Sequence, residues 1–236
     1  MAHQRLTYES LEKLKVDRPV DRLGYISAAC TGKGVLDIGC FDETALEKRG
    51  TEHWLHGRIL QTANEVFGID ISDKIPPEGV VTGANGRILR RDAAKLDLDG
   101  IPAGQIQVIV AGEFIEHIES PMAFFREVKQ KLGGRELIIS TPNGVCFANT
   151  LMGIIGREVQ HPDHLHNLTY KTLNTQCQRA GFESWEIIPY RFYATEMILA
   201  STGAKRMFVK LVQACIRGVE RCFPLLSFGY IARIRI

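Results

Sequence analysis

Val35-Leu36-Asp37-Ile38-Gly39-Cys40-Phe41-Asp42-Glu43 is the stretch on which the fold of this chain turns. Two apolar residues lead to an acid, a further apolar residue and then Gly39, where the backbone must turn tightly. A parallel strand ends this way over a nucleotide-type ligand, because a residue without a side chain lets backbone and ligand approach closely. The glycines that usually continue such a turn are replaced by Phe41 and Glu43. A pyrophosphate is therefore not the ligand this turn predicts.

Working outward, strand-like runs alternate with helical ones. The strands are expected at Gly34–Ile38, Glu65–Ile69, Gly86–Arg90, Gln107–Val110, Glu136–Ser140, Ser184–Pro189 and Tyr230–Ile236. Between the fourth and fifth, Met122, Phe125, Val128, Lys129 and Leu132 follow helical spacing until Gly133-Gly134 stops them. A second helix is expected over Thr172–Ala180, with Thr169 as N-cap and Gly181 as its end. Strands separated by helices predict an α/β architecture: a Rossmann-like, doubly wound, mostly parallel seven-stranded sheet with helices on both faces. Ligands of such a sheet bind beyond the carboxyl ends of the strands, at the switch point. We expect a single domain over residues 1–236, with an N-terminal helical segment at 1–30, helical from about residue 8, and a helical insertion at 194–226 before the last strand.

Composition narrows the class. With 236 residues and 45% hydrophobic content the chain can bury a substantial core. Lysine and arginine number 29 and acids 27, so no global basic field calls for nucleic acid. Six cysteines are scattered without a CxxC pair, which predicts reduced thiols in a cytoplasmic protein. The first residues are too polar for a secretory signal, and no run reaches the roughly 18 apolar residues of a membrane span.

The functional argument rests on acids at the strand ends. The first strand carries Asp37, the second ends at Asp70, the third leads to Asp92, and the fourth to Glu113 and Glu116. A carboxylate at Asp70 can accept hydrogen bonds from both hydroxyls of a ribose. Asp42 and Glu43 stand where the diphosphate of a dinucleotide would sit, and would repel it. A cationic, phosphate-free nucleoside suits this edge, and S-adenosylmethionine is one.

The pieces VLDIGC, VFGIDIS, RRDAAKLDL, VIVAGEFIEHIESPMAFFREVKQKLGG, ELIISTPNG and HPDHLHNLTYKTLNTQCQRAGFE, in this order from Gly34 to Glu183, resemble class I S-adenosylmethionine-dependent methyltransferases. The similarity lies with the group that includes ubiquinone-biosynthesis and sugar O-methyltransferases. It implies that Asp37 and Gly39 line the methionine end of the cofactor, with Cys40 and Phe41 in the same cofactor-binding turn, Cys40 as a small packed residue. Asp70 and Ile71 would hold the ribose, Asp92 and Ala93 would face the adenine, and Glu113 would border the pocket beneath the sulfonium. Asp37 and Asp70 lie 33 residues apart, and an insert containing EHWLHGRI lengthens this first crossover. The implied activity is methylation of an oxygen of a small molecule or glycan. A non-catalytic binding module on the same fold and an NAD-type oxidoreductase are the rivals.

His117, at the mouth of the fourth strand, is a candidate base for a hydroxyl acceptor, or else a loop buttress together with Glu116. His161, Asp163, His164 and His166 in HPDHLHN have metal-like spacing but lie in a predicted loop. We expect no metal there, and hold His164 and His166 as candidate orienting or basic groups on the substrate side. His53 and His56 in the insert are expected to be structural. Over 194–226, Phe208, Leu211, Val212, Cys215, Ile216, Val219 and Phe223 trace one helical face, with Lys205, Arg206, Lys210, Arg217 and Arg221 around it. That segment covers the sheet, or else residues 205–223 meet a membrane or a second subunit.

Overall fold

The computed structural model describes residues 6–41 and 45–236, so Asp42 and Glu43, with the charge argument placed on them, lie outside the described residues. In chain order the elements are α1 (Arg22–Ala29), β1 (Gly34–Ile38), α2 (Ala45–Lys48), α3 (Leu55–Leu60), β2 (Glu65–Asp70), β3 (Val80–Gly83), β4 (Gly86–Arg90) and β5 (Val108–Gly112). They continue with α4 (Pro121–Leu132), β6 (Glu136–Pro142), α5 (Phe147–Ile154), α6 (Tyr170–Arg179), β7 (Ser184–Tyr190), α7 (Thr195–Leu199), α8 (Gly203–Cys222) and β8 (Gly229–Arg235).

The strands form one eight-stranded sheet in the order β3-β4-β2-β1-β5-β6-β8-β7. The five strands from β4 to β6 are parallel, and β3, β7 and β8 add antiparallel pairings at the two ends. All seven expected strands are present. The eighth, β3, makes a hairpin with β4 through Ala84-Asn85, and its short β-branched run had no alternation to separate it from a loop. Strand order reverses between β1 and β5, so a crevice opens beyond their carboxyl ends.

The alternation of β1 sorts the core. Leu36 and Ile38 face a cluster that takes Phe124, Phe125, Val128 and Leu132 from α4 and Leu173 and Cys177 from α6. Val35 faces the opposite cluster, with Ile26 of α1 and Ile59 of α3. Helices therefore cover both faces. Burying each phenylalanine of α4 contributes about 2–3 kcal/mol, and both rings are fully buried. This helix starts at Pro121, and the Ser120 hydroxyl caps it by accepting from the Ala123 N–H at 3.2 Å. α6 is capped by Thr169 as expected, in a reciprocal box with Thr172.

The leading segment departs from expectation. Residues 6–21 contain no helix, which begins only after Asp21, whose carboxylate accepts from the Gly24 N–H. The Glu12 carboxylate accepts from the N–H of Thr7 and Tyr8, a local bond that competes with helical pairing. Tyr8 and Leu11 take positive φ values of 58° and 60°. The segment instead lies along α6, through a Lys171–Glu12 ion pair at 2.7 Å and a Tyr8–Thr175 hydroxyl contact at 2.8 Å.

The 194–226 segment forms α7, α8 and a short 3-10 turn. Its orientation divides the residues traced as one face. Val209, Ile216 and Glu220 face inward, while Phe208, Leu211 and Phe223, from the expected apolar face, are 60–65% exposed. Helical spacing defines a face, but not the side on which the protein lies.

Candidate active site at the strand ends

β1 turns at Gly39, whose φ of 67° favours glycine. A Cβ there would lie 2.6 Å from the Phe114 ring, so the position has no room for a side chain. The Gly39 N–H donates to the Ile69 carbonyl at 2.9 Å, which ties the turn to β2. Phe41 explains the missing glycine. Its ring is buried in a third apolar cluster with Trp54, Ile75 and Ile88, while its backbone N–H donates to Asp70 Oδ2 at 2.9 Å. The turn thus keeps its backbone function and uses the side chain as an anchor.

The insert between β1 and β2 supports this turn from beneath. Trp54 Nε1–H donates to the Cys40 carbonyl at 3.2 Å. His56 Nδ1 lies 2.8 Å from Asp37 Oδ2, and its Nε2 lies 3.0 Å from the Thr82 hydroxyl of β3. A ring with its proton on Nδ1 satisfies both bonds. Asp37 is 2% exposed, so its carboxylate is directed into this relay under the sheet. Gly68 makes room for it: a Cβ would stand 2.6 Å from Cys40 Sγ and 3.1 Å from His56 Cε1.

Asp70 ends β2 half-buried, with Oδ1 accepting from the Ser72 N–H and Oδ2 from Phe41. Burial raises its pKa, against the backbone bonds that favour the charged form. Beside it, Ile71 is 68% exposed, an apolar surface over the crevice. Asp92 accepts from the N–H groups of Ala94 and Lys95 and pairs with the Lys95 ammonium at 3.1 Å, while Ala93 is buried.

Glu113 follows β5 with φ at 54°, a conformation that costs a non-glycine residue on the order of 1–3 kcal/mol. Its Oε1 accepts from the hydroxyls of Tyr190 at 2.9 Å and Tyr193 at 2.6 Å, and its Oε2 lies 3.4 Å from Arg22. Burial, then the Glu113 charge, raises both tyrosines well above their ordinary values, so they remain donors. Arg22, Tyr190 and Tyr193 escaped the sequence reading, since they come from α1, the end of β7 and the loop after it.

The Glu116 carboxyl is buried and makes no hydrogen bond of ordinary geometry. Burial, then the neighbouring Glu113, pushes it up to about 8. The Glu116 carbonyl accepts from the N–H groups of Leu165 and His166, at 2.8 and 3.2 Å, which straps the HPDHLHN loop to the end of β5. His166 Nε2 donates to the carbonyl of Ile118 at 3.0 Å and acts as a second strap. His164 is thereby placed against His117, with ring centroids 4.5 Å apart. Burial lowers the pKa of both rings, and a neighbouring histidine lowers each further, which favours their neutral forms. His53 lies in the turn before α3 with its N–H on the Thr51 hydroxyl.

The doubly wound sheet and the carboxylates converging at its switch point define a methyltransferase architecture. The chain belongs to the methyltransferase-domain family, whose profile matches residues 8–187. It is similar, at 26% identity over 161 residues, to a Mycobacterium tuberculosis protein named "Probable S-adenosylmethionine-dependent methyltransferase". That match covers 66% of this chain and 51% of the relative, so the chain spans about half the length of the curated relatives it matches. Among solved structures it shares its fold with the small RNA methyltransferase HEN1 (TM-score 0.57, 16% identity, 96% of this chain and 27% of that one). It also shares it with magnesium protoporphyrin IX methyltransferase from Synechocystis PCC 6803 with bound SAH (TM-score 0.51, 17% identity, 91% and 80%).

Proposed function

We propose that this protein is an S-adenosylmethionine-dependent methyltransferase that methylates a hydroxyl oxygen of a small molecule or glycan. The observation that carries the reading is the joining of four strand ends into one crevice: the Gly39–Phe41 turn, Asp70, Asp92-Ala93 and Glu113. Backbone bonds hold Asp70 in place, with the ribose hydroxyls as its remaining partners. The Ile71 side chain and Ala93 provide the apolar walls that an adenine ring needs. Glu113, fixed by two tyrosines and Arg22, supplies negative charge near the sulfonium. Methyl transfer then depends on alignment of the acceptor oxygen with the breaking S–C bond. That oxygen gains the methyl and loses its proton, while the cofactor leaves as a neutral thioether. The proton passes at the cluster around His117, whose neutral ring can accept it.

The acceptor side carries His117, His161 and His164, and the chain as a whole has 29 lysines and arginines against 27 acids, which favours a neutral hydroxyl acceptor over nucleic acid. Two experiments test the reading. Asp70→Ala should weaken S-adenosylhomocysteine binding by tenfold or more, and unchanged affinity would misplace the ribose site. In a lysate given S-adenosylmethionine with a labelled methyl group, the label should enter an alkali-stable ether in the small-molecule or glycan fraction. Label confined to nucleic acid or to alkali-labile esters would refute the acceptor.

The same reading places the protein in the cytoplasm at a lipid surface, or in a dimer, through residues 205–223. No helix among the described residues is long and apolar enough to cross a membrane. However, Met207, Phe208, Leu211 and Phe223 of the α8 segment are exposed, as are Ile154 and Ile155 beside α5. Lys205, Arg206, Lys210 and Arg221 are exposed with them, and no acid occurs between Gly203 and Val219. Apolar side chains ringed by cations suit an anionic lipid surface.

A further inference from the structure

We propose that His117, His161 and His164 bind a divalent first-row transition-metal ion at the acceptor mouth, with open coordination positions for the acceptor oxygen. The proposal deepens the hydroxyl-methylation reading and rests on it for the role of the ion, though not for its binding.

The geometry comes first. The three side chains each offer a ligand atom, and these atoms lie within 4.8 Å of one another. Their ring centroids are 4.5, 5.4 and 5.9 Å apart. Three nitrogens tetrahedrally placed at ordinary metal–nitrogen lengths stand about 3.4 Å apart, so closure requires modest rotation of side chains that already touch. Neutral imidazoles suit the ions from cobalt to zinc, and three of them leave a position free for a further ligand.

The trio is held in place by contacts that do not depend on an ion. Backbone bonds from Leu165 and His166 to Glu116 strap the loop, the His166 side chain pins it again at Ile118, and Gly144 N–H closes it at Leu168. His164 Nδ1 meets the Gln160 side-chain amide at 2.7 Å, and His161 Nδ1 meets the Asp163 N–H at 3.2 Å with the Asp163 carboxylate 3.9 Å away. Such outer partners orient ligating imidazoles, the Gln160 amide and the His161 tautomer adjusting when the ion enters.

The sequence spacing grouped His161, His164 and His166. The fold regroups them, turning His166 into a strap and bringing in His117 from 44 positions before His161. The other trio among the described residues that could gather around a cation, Asp37, Cys40 and His56, is buried, and both His56 nitrogens already have protein partners. An ion at the first trio would fix a hydroxyl oxygen and lower its pKa, and the His117 nitrogen would then hold the ion in place of accepting the proton, which leaves to solvent.

Titration of the apo full-length chain with Co2+, followed by visible absorption, tests the site. One equivalent should bind with the ligand-field bands of nitrogen coordination. His161→Ala and His164→Ala should each weaken binding at least tenfold, while His53→Ala leaves it unchanged. His161 is exposed, so its variant should keep the wild-type melting curve and S-adenosylhomocysteine affinity. Failure of Co2+ to bind, or equal binding by the wild type and both variants, overturns the proposal. S-adenosylhomocysteine binding, measured on the same samples, separates that outcome from failure of the methyltransferase reading.

Discussion

At the residue scale, the site depends on positions where one atom more or less has large consequences. Gly39→Ala puts a methyl group against the Phe114 ring in a left-handed conformation. It should destabilise the fold by about 1–3 kcal/mol in urea denaturation and weaken S-adenosylhomocysteine binding; an unchanged midpoint would show that the turn relaxes freely. His56→Ala removes the partner of a buried carboxylate, which typically costs about 3 kcal/mol. Loss of less than 0.5 kcal/mol would mean that water satisfies Asp37 in the space left behind. The acids at the strand ends were legible in sequence because each lies in or just after its own strand: Asp37 in β1, Asp70 closing β2, Asp92 shortly after β4 and Glu113 directly after β5. Arg22, Tyr190 and Tyr193 were not, since nothing local in α1 or β7 indicates that their side chains meet at Glu113.

Among the elements, α8 combines a buried acid with an exposed apolar side. Burial pushes Glu220 up to about 7 from its ordinary 4.5, although its carboxylate accepts from the Phe192 N–H. The folded state keeps this proton over a range where the unfolded chain releases it, so Glu220 lowers stability as pH rises from about 5 to 7. Glu220→Gln should therefore raise Tm relative to wild type at pH 8 and change it little at pH 4.5. Equal shifts at both pH values would contradict the assignment. The exposed side of α8 leads to a separate expectation: Phe208→Glu with Leu211→Glu should abolish flotation with anionic liposomes, if the wild type floats. Wild-type protein that stays in solution would instead leave the apolar side to a dimer, visible as a concentration-dependent mass. Periodicity made this helix and its faces legible. Which face turns inward depends on bonds from Glu220, Gln213 and Arg217 to the loop after β7, and these are invisible in the local pattern.

For the whole molecule, alternation of strand and helix was enough to predict a doubly wound sheet, because buried parallel strands read as continuous apolar runs. The eighth strand and the non-helical lead were hidden for opposite reasons: β3 is too short to show a period, and the lead has helical composition but gives the N–H groups of Thr7 and Tyr8 to the Glu12 carboxylate. The altered glycine turn keeps its left-handed conformation at a glycine, Gly39. Phe41 anchors in a side cluster, while Trp54 and His56 hold the turn from below. The account stands on that turn accepting a phosphate-free nucleoside. Calorimetric titration of the wild-type protein with S-adenosylhomocysteine, and in parallel with NAD, tests it most directly. The account predicts saturable 1:1 binding of S-adenosylhomocysteine and no heat with NAD; no heat with S-adenosylhomocysteine, or tighter binding of NAD, would contradict it.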